Sequence, residues 1–230
     1  MLTIIIPTLN EGRTLTRLLP HVIATCPQAE IIVVDGGSSD DTPEVASRFP
    51  RVRFVASARG RAEQMNAGAQ AAQGDVLLFL HADTFLPPGA QAAIRAALPD
   101  PEVVGGHFDV RFDSERPIFR MIAALMNLRS RLSGICTGDQ AIFVRRQVFE
   151  TMGGYPEIPL MEDVECTRRL KRQGRLACLR SQVTTSARKW EREGILRTIV
   201  LMWTLRFLYF VGVSPARLHR WYYPQLSRPH

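Results

Sequence analysis

The stretch "LTIIIPTLNEGRTLTRLLPHVIATCPQAEIIVVDGG", residues 2–37, decides the fold. It opens with the β-branched run at residues 2–6, closed by Pro7, and ends with a second run at 31–34, closed by Asp35-Gly36-Gly37. Neither run alternates apolar with polar residues, which is the pattern of strands buried on both faces of a parallel sheet. Between them Leu15, Leu18, Leu19, Val22 and Ile23 recur at helical spacing. The unit therefore reads strand, helix, strand.

The pattern continues. "SSDDTPEVASRF" starts a helix, with Ser and Asp caps and Pro43 near its first turn. Residues 53–55 read as a third strand, "GRAEQMNAGAQAAQG" as a small-residue helix, and "VLLFL" at 76–80 as a fourth strand. The order β-α-β-α-β-α-β predicts an α/β domain with a mostly parallel central sheet and helices on both faces. Ligands of such sheets bind beyond the carboxyl ends of the strands. Three strands end there in polar clusters: Thr8-Asn10-Glu11, Asp35-Gly36-Gly37 and His81-Asp83. Their convergence on one edge says more than any single cluster.

Past Pro87-Pro88, "AQAAIRAAL" reads as a helix and "VVGGHFDVRF" as an antiparallel, partly exposed strand. Residues 118–132 read as a helix, "TGDQAIFVRRQVFETMGGY" as loop, strand and short helix. "PLMEDVECTRRLKRQG" reads as a helix whose acids lead and whose bases trail, matching its dipole. No internal repeat or linker divides the chain.

Charge divides it instead. Residues 1–167 hold 15 basic and 20 acidic residues, whereas 168–230 hold 14 basic and 2 acidic, and the whole chain carries +7. Almost all of the positive charge is arginine, with lysine only at Lys171 and Lys189. A basic quarter of this kind suits phosphates or an anionic membrane surface. The four cysteines form no C-x-x-C, so reduced, packed thiols in a cytoplasmic protein are expected; no secretory leader is read at the N-terminus. G-x-x-x-x-G-K-[ST] and G-x-G-x-x-G are both absent, which excludes a P-loop enzyme and an ordinary dinucleotide dehydrogenase.

Taken together, "IIIPTLNEG", "IIVVDGGSSDDT", "LHADT" and "GGYPEIPLMEDVE" resemble inverting glycosyltransferase family 2, with its GT-A fold. "GRAEQMNAGA" and "GDQAIFVRR" look closer still to a small bacterial subfamily of selenodomain-associated or arsenosugar-biosynthesis glycosyltransferases. The resemblance covers roughly residues 1–190. It implies a GT-A domain over 1–190, with a nucleotide-binding half at 1–100 and an acceptor half at 101–190. A basic, apolar helical extension follows at 191–230.

The resemblance assigns Pro7, Thr8, Asn10, Glu11, Asp35 and Gly36 to the nucleoside of a UDP-linked sugar donor. Read without it, Asp35 starts a Gly-Gly turn. Arg59 and Arg61 reach the base or diphosphate, or are solvated loop charge; Arg61 lies inside the motif. His81, Ala82 and Asp83 fall on the family's D-x-D element, in which the last carboxylate holds Mn²⁺ or Mg²⁺. Here His81 replaces the first Asp, and alternation along an extended chain sets 81 and 83 on one side. Asp163 matches the family's general base, with Glu162 beside it as acceptor contact or as a like charge that raises its pKa. On spacing alone, both acids cap a helix.

Asp139 in "TGDQ", and Arg188 and Trp190 in "SARKW", are candidate diphosphate or acceptor contacts; the degenerate "SARKW" argues against a polymer synthase. In "ILRTIVLMWTLRFLYFVGV", Arg197 and Arg206 interrupt the apolar run, so it does not read as a spanning helix. It reads as peripheral contact with anionic membrane through residues 195–223, on the inner face, or as a packed helix or homodimer interface. Two other classes fit less well. A nucleotidyltransferase would carry a Lys in its first loop, where "PTLNEGRTL" has none. A non-enzymatic anion-binding module would leave the converged acids idle, and nucleic acid is not an expected partner.

Overall fold

The computed structural model describes residues 1–222; residues 223–230, with Tyr223 of the membrane reading, lie outside them. One eight-stranded sheet runs through the chain. Its parallel half pairs β3 (Val52–Ala56), β2 (Glu30–Asp35), β1 (Leu2–Thr8) and β4 (Val76–Phe79) in that order. The sheet then continues through β7 (Ile142–Arg145), β6 (Val103–Phe112), β8 (Arg175–Thr185) and the two-residue β5 (Thr84–Phe85). β7 lies antiparallel to both β4 and β6, whereas β6 and β8 run parallel, with two register shifts.

Both faces are covered, as the unbroken apolar runs require. Ile4 and Ile6 of β1 join Ile31, Val33 and Leu78 under helix α1 (Gly12–Thr25), while Ile5, Ile32 and Val34 face α3 (Arg61–Ala71). Two adjacent residues of one strand thus serve two cores, and each residue shifted would turn an apolar side chain to the wrong face. On α3, Gly68 lets the helix lie directly on the sheet: a Cβ there would fall 2.4 Å from Ile5. The remaining helices are α2 (Thr42–Ser47), α4 (Ala90–Ala97), α5 (Pro117–Ser133), α6 (Arg146–Thr151) and α7 (Glu162–Gln173). The extension forms α8 (Arg188–Glu193), α9 (Ile195–Phe210) and α10 (Pro215–Tyr222).

Three expectations change. β6 is antiparallel to β7 as expected, but it is buried along nearly its whole length, because it lies mid-sheet between β7 and β8. β8 and β5 were not read as strands at all. Residues 81 and 83 do not lie on an extended chain: Thr84 N donates to His81 O at 3.0 Å, so the chain turns there. All four cysteines are free, and burial pushes the Cys136 and Cys166 thiols up, which makes them inert packing groups.

Candidate active site

The carboxyl ends of β1 and β2 are tied by their own loops. Asn10 takes a left-handed backbone, φ 57°, and exchanges hydrogen bonds across the gap: its N–H donates to Ser38 Oγ at 2.8 Å, and its Oδ1 accepts from Ser39 N at 2.8 Å. Glu11 N donates to Thr42 Oγ1, while its carboxylate accepts from Thr14 Oγ1 at 2.6 Å. Asp35 is buried and accepts from the N–H groups of Gly37 and Ser38 and from the hydroxyls of Ser38 and Thr8. These four contacts hold the Asp-Gly-Gly turn in place at the strand end. Gly36 N donates to Thr8 O, and Pro7 pairs in the β1–β2 ladder. Gln64, unsuspected from sequence, reaches from α3 to donate to Thr8 O at 2.6 Å and Val34 O at 2.8 Å. It locks the two strand ends together.

A second group gathers around the turn after β4. His81 Nδ1 lies 3.3 Å from Asp139 Oδ1. Its Nε2 is buried without a hydrogen-bond partner among the described residues, pressed against Gly138, where a Cβ would fall 2.1 Å from that nitrogen. Gly138 N in turn donates to Asp163 Oδ2 at 2.9 Å. One tight turn, residues 138–140, therefore holds the histidine and the carboxylate at once; Gln140 Nε2 anchors it to Ser130 Oγ on α5. The Nε2 of His81 is closed off by this packing.

Asp163 stands in the first turn of α7. Burial, then the like charge of Glu162, raises its pKa to about 6, against the Gly138 hydrogen bond and the Arg61 charge. Glu162 is buried and meets Arg61 Nη1 at 3.3 Å. For Asp139, burial pushes upward, but the hydrogen bond and charge of His81, with Arg61 and Lys189, bring its pKa below the usual range. Arg129 escaped the sequence reading: it sits inside α5, its Nε and Nη2 buried and unpartnered among the described residues, within the field of Asp163 and Asp139. Nothing in "NLRSRL" distinguishes it from a surface arginine.

Asp83 lines a basin of about 830 Å³ whose wall also carries Arg13, Arg17, Arg111, Asp113 and Arg188. Burial raises the Asp83 pKa, opposed by His81 and reinforced by Asp139. Ala82 is buried in the same turn. Arg188 faces this basin, whereas Trp190 packs edge-on to Phe112 at 5.6 Å beside Phe119, in a hydrophobic cluster. Lys189 lies over the Tyr222 ring at 4.3 Å, so α10 braces it. Among the described residues Arg59 forms no ion pair, whereas Arg61 reaches Glu162.

Among the described residues, no group of three or more His, Cys, Asp and Glu could cage a metal. A single carboxylate at a basin wall, short of hydrogen bonds, fits instead a hard cation that takes its other ligands from a substrate's phosphates and water.

The family model for glycosyl transferase family 2 matches residues 3–153. The chain belongs to glycosyl transferase family 2. A PGL/p-HBAD biosynthesis glycosyltransferase of Mycobacterium bovis is 34% identical over 175 residues, 67% of this chain and 63% of that protein. An undecaprenyl-phosphate 4-deoxy-4-formamido-L-arabinose transferase of Sodalis glossinidius is 32% identical over 65% of this chain and 50% of its own. This chain thus spans about half to two thirds of these relatives. The mannosyltransferase of Pyrobaculum calidifontis, solved with GDP-Man and Mn²⁺, superposes with a TM-score of 0.69 at 22% identity, over 98% of this chain and 70% of that one. TarS of S. aureus, solved with UDP-GlcNAc, gives 0.64 at 16% identity, over 80% and 58%. The fold of this family 2 member is GT-A.

Proposed function

We propose that this chain moves a sugar from a nucleotide-linked donor, UDP-linked, to an acceptor hydroxyl with inversion at the anomeric carbon. The observation that carries the reading is Asp163: a carboxylate held by Gly138, its pKa raised to about 6, at the turn that also packs against His81. The subfamily resemblance supports the same chemistry.

The residues divide the work. Pro7, Thr8, Asn10, Glu11, Asp35 and Gly36 frame the nucleoside, with Gln64 fixing the strand ends that carry them. Arg61 and Arg188 face the diphosphate. Asp83 would hold Mn²⁺ or Mg²⁺, which supplies neutralising charge to the leaving diphosphate when bound. Asp163 takes the acceptor's proton as the acceptor oxygen bonds to the anomeric carbon; the bond from that carbon to the phosphate oxygen breaks, and the diphosphate departs with its electron pair. Glu162 tunes this base, and His81 positions Asp139. Trp190 acts from below as packing. The extension, residues 195–223, makes peripheral contact with an anionic membrane on the cytoplasmic side.

The test is calorimetric titration with UDP in the presence of Mn²⁺, followed by nucleoside diphosphate release from a panel of UDP- and GDP-sugars. We expect UDP to bind only with the cation present and Asp83→Asn to abolish that dependence. No binding of any nucleotide under these conditions would sink the proposal.

A further inference from the structure

Two helices carry apolar stripes that stand exposed among the described residues. On α5, Met121, Leu125, Leu128 and Leu132 follow one another at i, i+4, i+7 and i+11, each more than half exposed. On α9, Leu196, Val200, Trp203, Phe207 and Phe210 do the same. The inner sides of both helices are already used: Phe119, Ile122 and Ala123 of α5 share a cluster with Ile195 and Ile199 of α9, and Thr198 and Leu205 of α9 are buried. The helices also meet at one open groove, lined by Ile118 beside the α5 stripe, Leu196 of the α9 stripe, Arg116 and Arg197. Apart from Arg197 and Arg206, α9 is largely apolar, yet only Thr198 and Leu205 of it are buried in the protein.

The charges name the occupant. Arg197 and Arg206 lie on opposite sides of α9, so they cannot share a face. Counted at about 100° per residue, they border the exposed stripe, one on each flank. Arg116, Arg120, Arg217 and Arg220 add exposed positive charge on α5, its N-terminal edge and α10. Only Glu191 and Glu193 are acidic beyond residue 167. A two-fold-related copy would set this arginine rim against itself. A bilayer bearing anionic lipid does the reverse: stripes sink into the acyl boundary, arginines meet phosphates, and Trp203 and Trp221 sit at the interface. Among the described residues no helix is long and apolar enough to cross a membrane, so the seat is in the plane of the surface.

We propose that α5 and α9 together form one face that seats on an anionic bilayer. This deepens the membrane contact proposed above by adding α5, far from the extension in sequence. The face is also linked to the site: α5 carries Arg129 and leads to the turn at 138–140, while Leu205 and Leu218 pack on Met161, the residue before Glu162. Seating would hold both elements of the catalytic rim close to the lipid surface and bring a membrane-borne acceptor within reach.

The experiment is vesicle flotation of the full chain, with phosphatidylcholine vesicles lacking or containing phosphatidylglycerol. The chain should float with the anionic vesicles, about tenfold less with the neutral ones, and less as salt rises. Leu125→Glu/Leu128→Glu and Trp203→Glu/Phe207→Glu should each lower the bound fraction about tenfold or more. All four positions are exposed, so circular dichroism should show an unchanged fold. Recovery of the full chain in the aqueous fraction overturns the proposal. So does an α5 pair that floats like wild type, or a dimer in light scattering that the α9 pair dissolves. Flotation needs no donor, and UDP calorimetry without vesicles reads the glycosyltransferase proposal separately.

Discussion

Asp163 answers to two residues at once, and both have testable consequences. Its neighbour Glu162 raises its pKa, and burial raises it further, to about 6. In its proposed role as base Asp163 works only when ionised, so activity should rise with pH through about 6. Removing the like charge favours the ionised form; Glu162→Gln should shift that acid limb to lower pH while keeping the Arg61 contact through the amide oxygen. A limb that stays fixed, read as log kcat/KM against pH, would show that another group controls it. Asp163→Asn should cost roughly 10²–10⁴-fold in kcat, the usual worth of a general base. The other partner is Gly138. Gly138→Ala would drive a methyl into His81 Nε2, with an overpacking cost of about 1–3 kcal/mol. His81→Ala in the same chain makes room, so urea denaturation of the four species should give a coupling free energy of opposite sign to the single losses. Simple additivity would mean the ring moves aside freely.

At the scale of elements, Met161 joins the extension to the helix that carries Asp163, the proposed base. It starts α7 in a left-handed backbone, φ 69°, and its side chain is buried against Leu205 and Leu218. Met161→Gly relieves backbone strain of about 1–2 kcal/mol but forfeits buried side-chain contacts worth about 2–5 kcal/mol. The contacts win, so the variant should be less stable in urea and should turn over more slowly, because α7 loses its brace. Equal stability would place Met161 outside the core that the structure gives it. The elements also show what the sequence could carry. β1, β2 and β4 were legible because burial on both faces leaves unbroken apolar runs. β8 was not: Arg175, Arg180, Ser181 and Gln182 give "RLACLRSQVTT" the look of a loop, since much of that strand is only half-buried. β5 has two residues and no pattern to read. At the site, Thr8, Asp35, Asp83 and Asp163 followed from strand ends and motif resemblance. Gln64 and Gly138 are silent because their partners lie far off in sequence, and Arg129 because nothing in its helical setting marks it as buried.

For the whole molecule, the question is whether the acidic body and the basic extension are one folding unit. Among the described residues, the two large cores, one on each face of the sheet, include none beyond Val183. Only the two smaller clusters, around Phe119 and around Met161, draw on α8, α9 and α10. Since burial of apolar area is the main stabilising term, a chain ending at residue 194 should still unfold cooperatively. The ends of β1, β2 and β4, which belong to the retained cores, should keep their geometry, and the truncated chain should bind UDP with Mn²⁺ within about threefold of full length, well under the 1.4 kcal/mol that a tenfold change represents. Catalysis should suffer far more, because Lys189 loses the Tyr222 ring and Met161 loses Leu205 and Leu218. Phe119 and Ile122 would also become exposed, lowering solubility. Calorimetry and turnover on the same truncated preparation decide between the alternatives. Intact UDP affinity with depressed kcat fits a self-sufficient donor half served by a bracing extension. A chain that fails to unfold cooperatively would show that the extension belongs to the domain's own core.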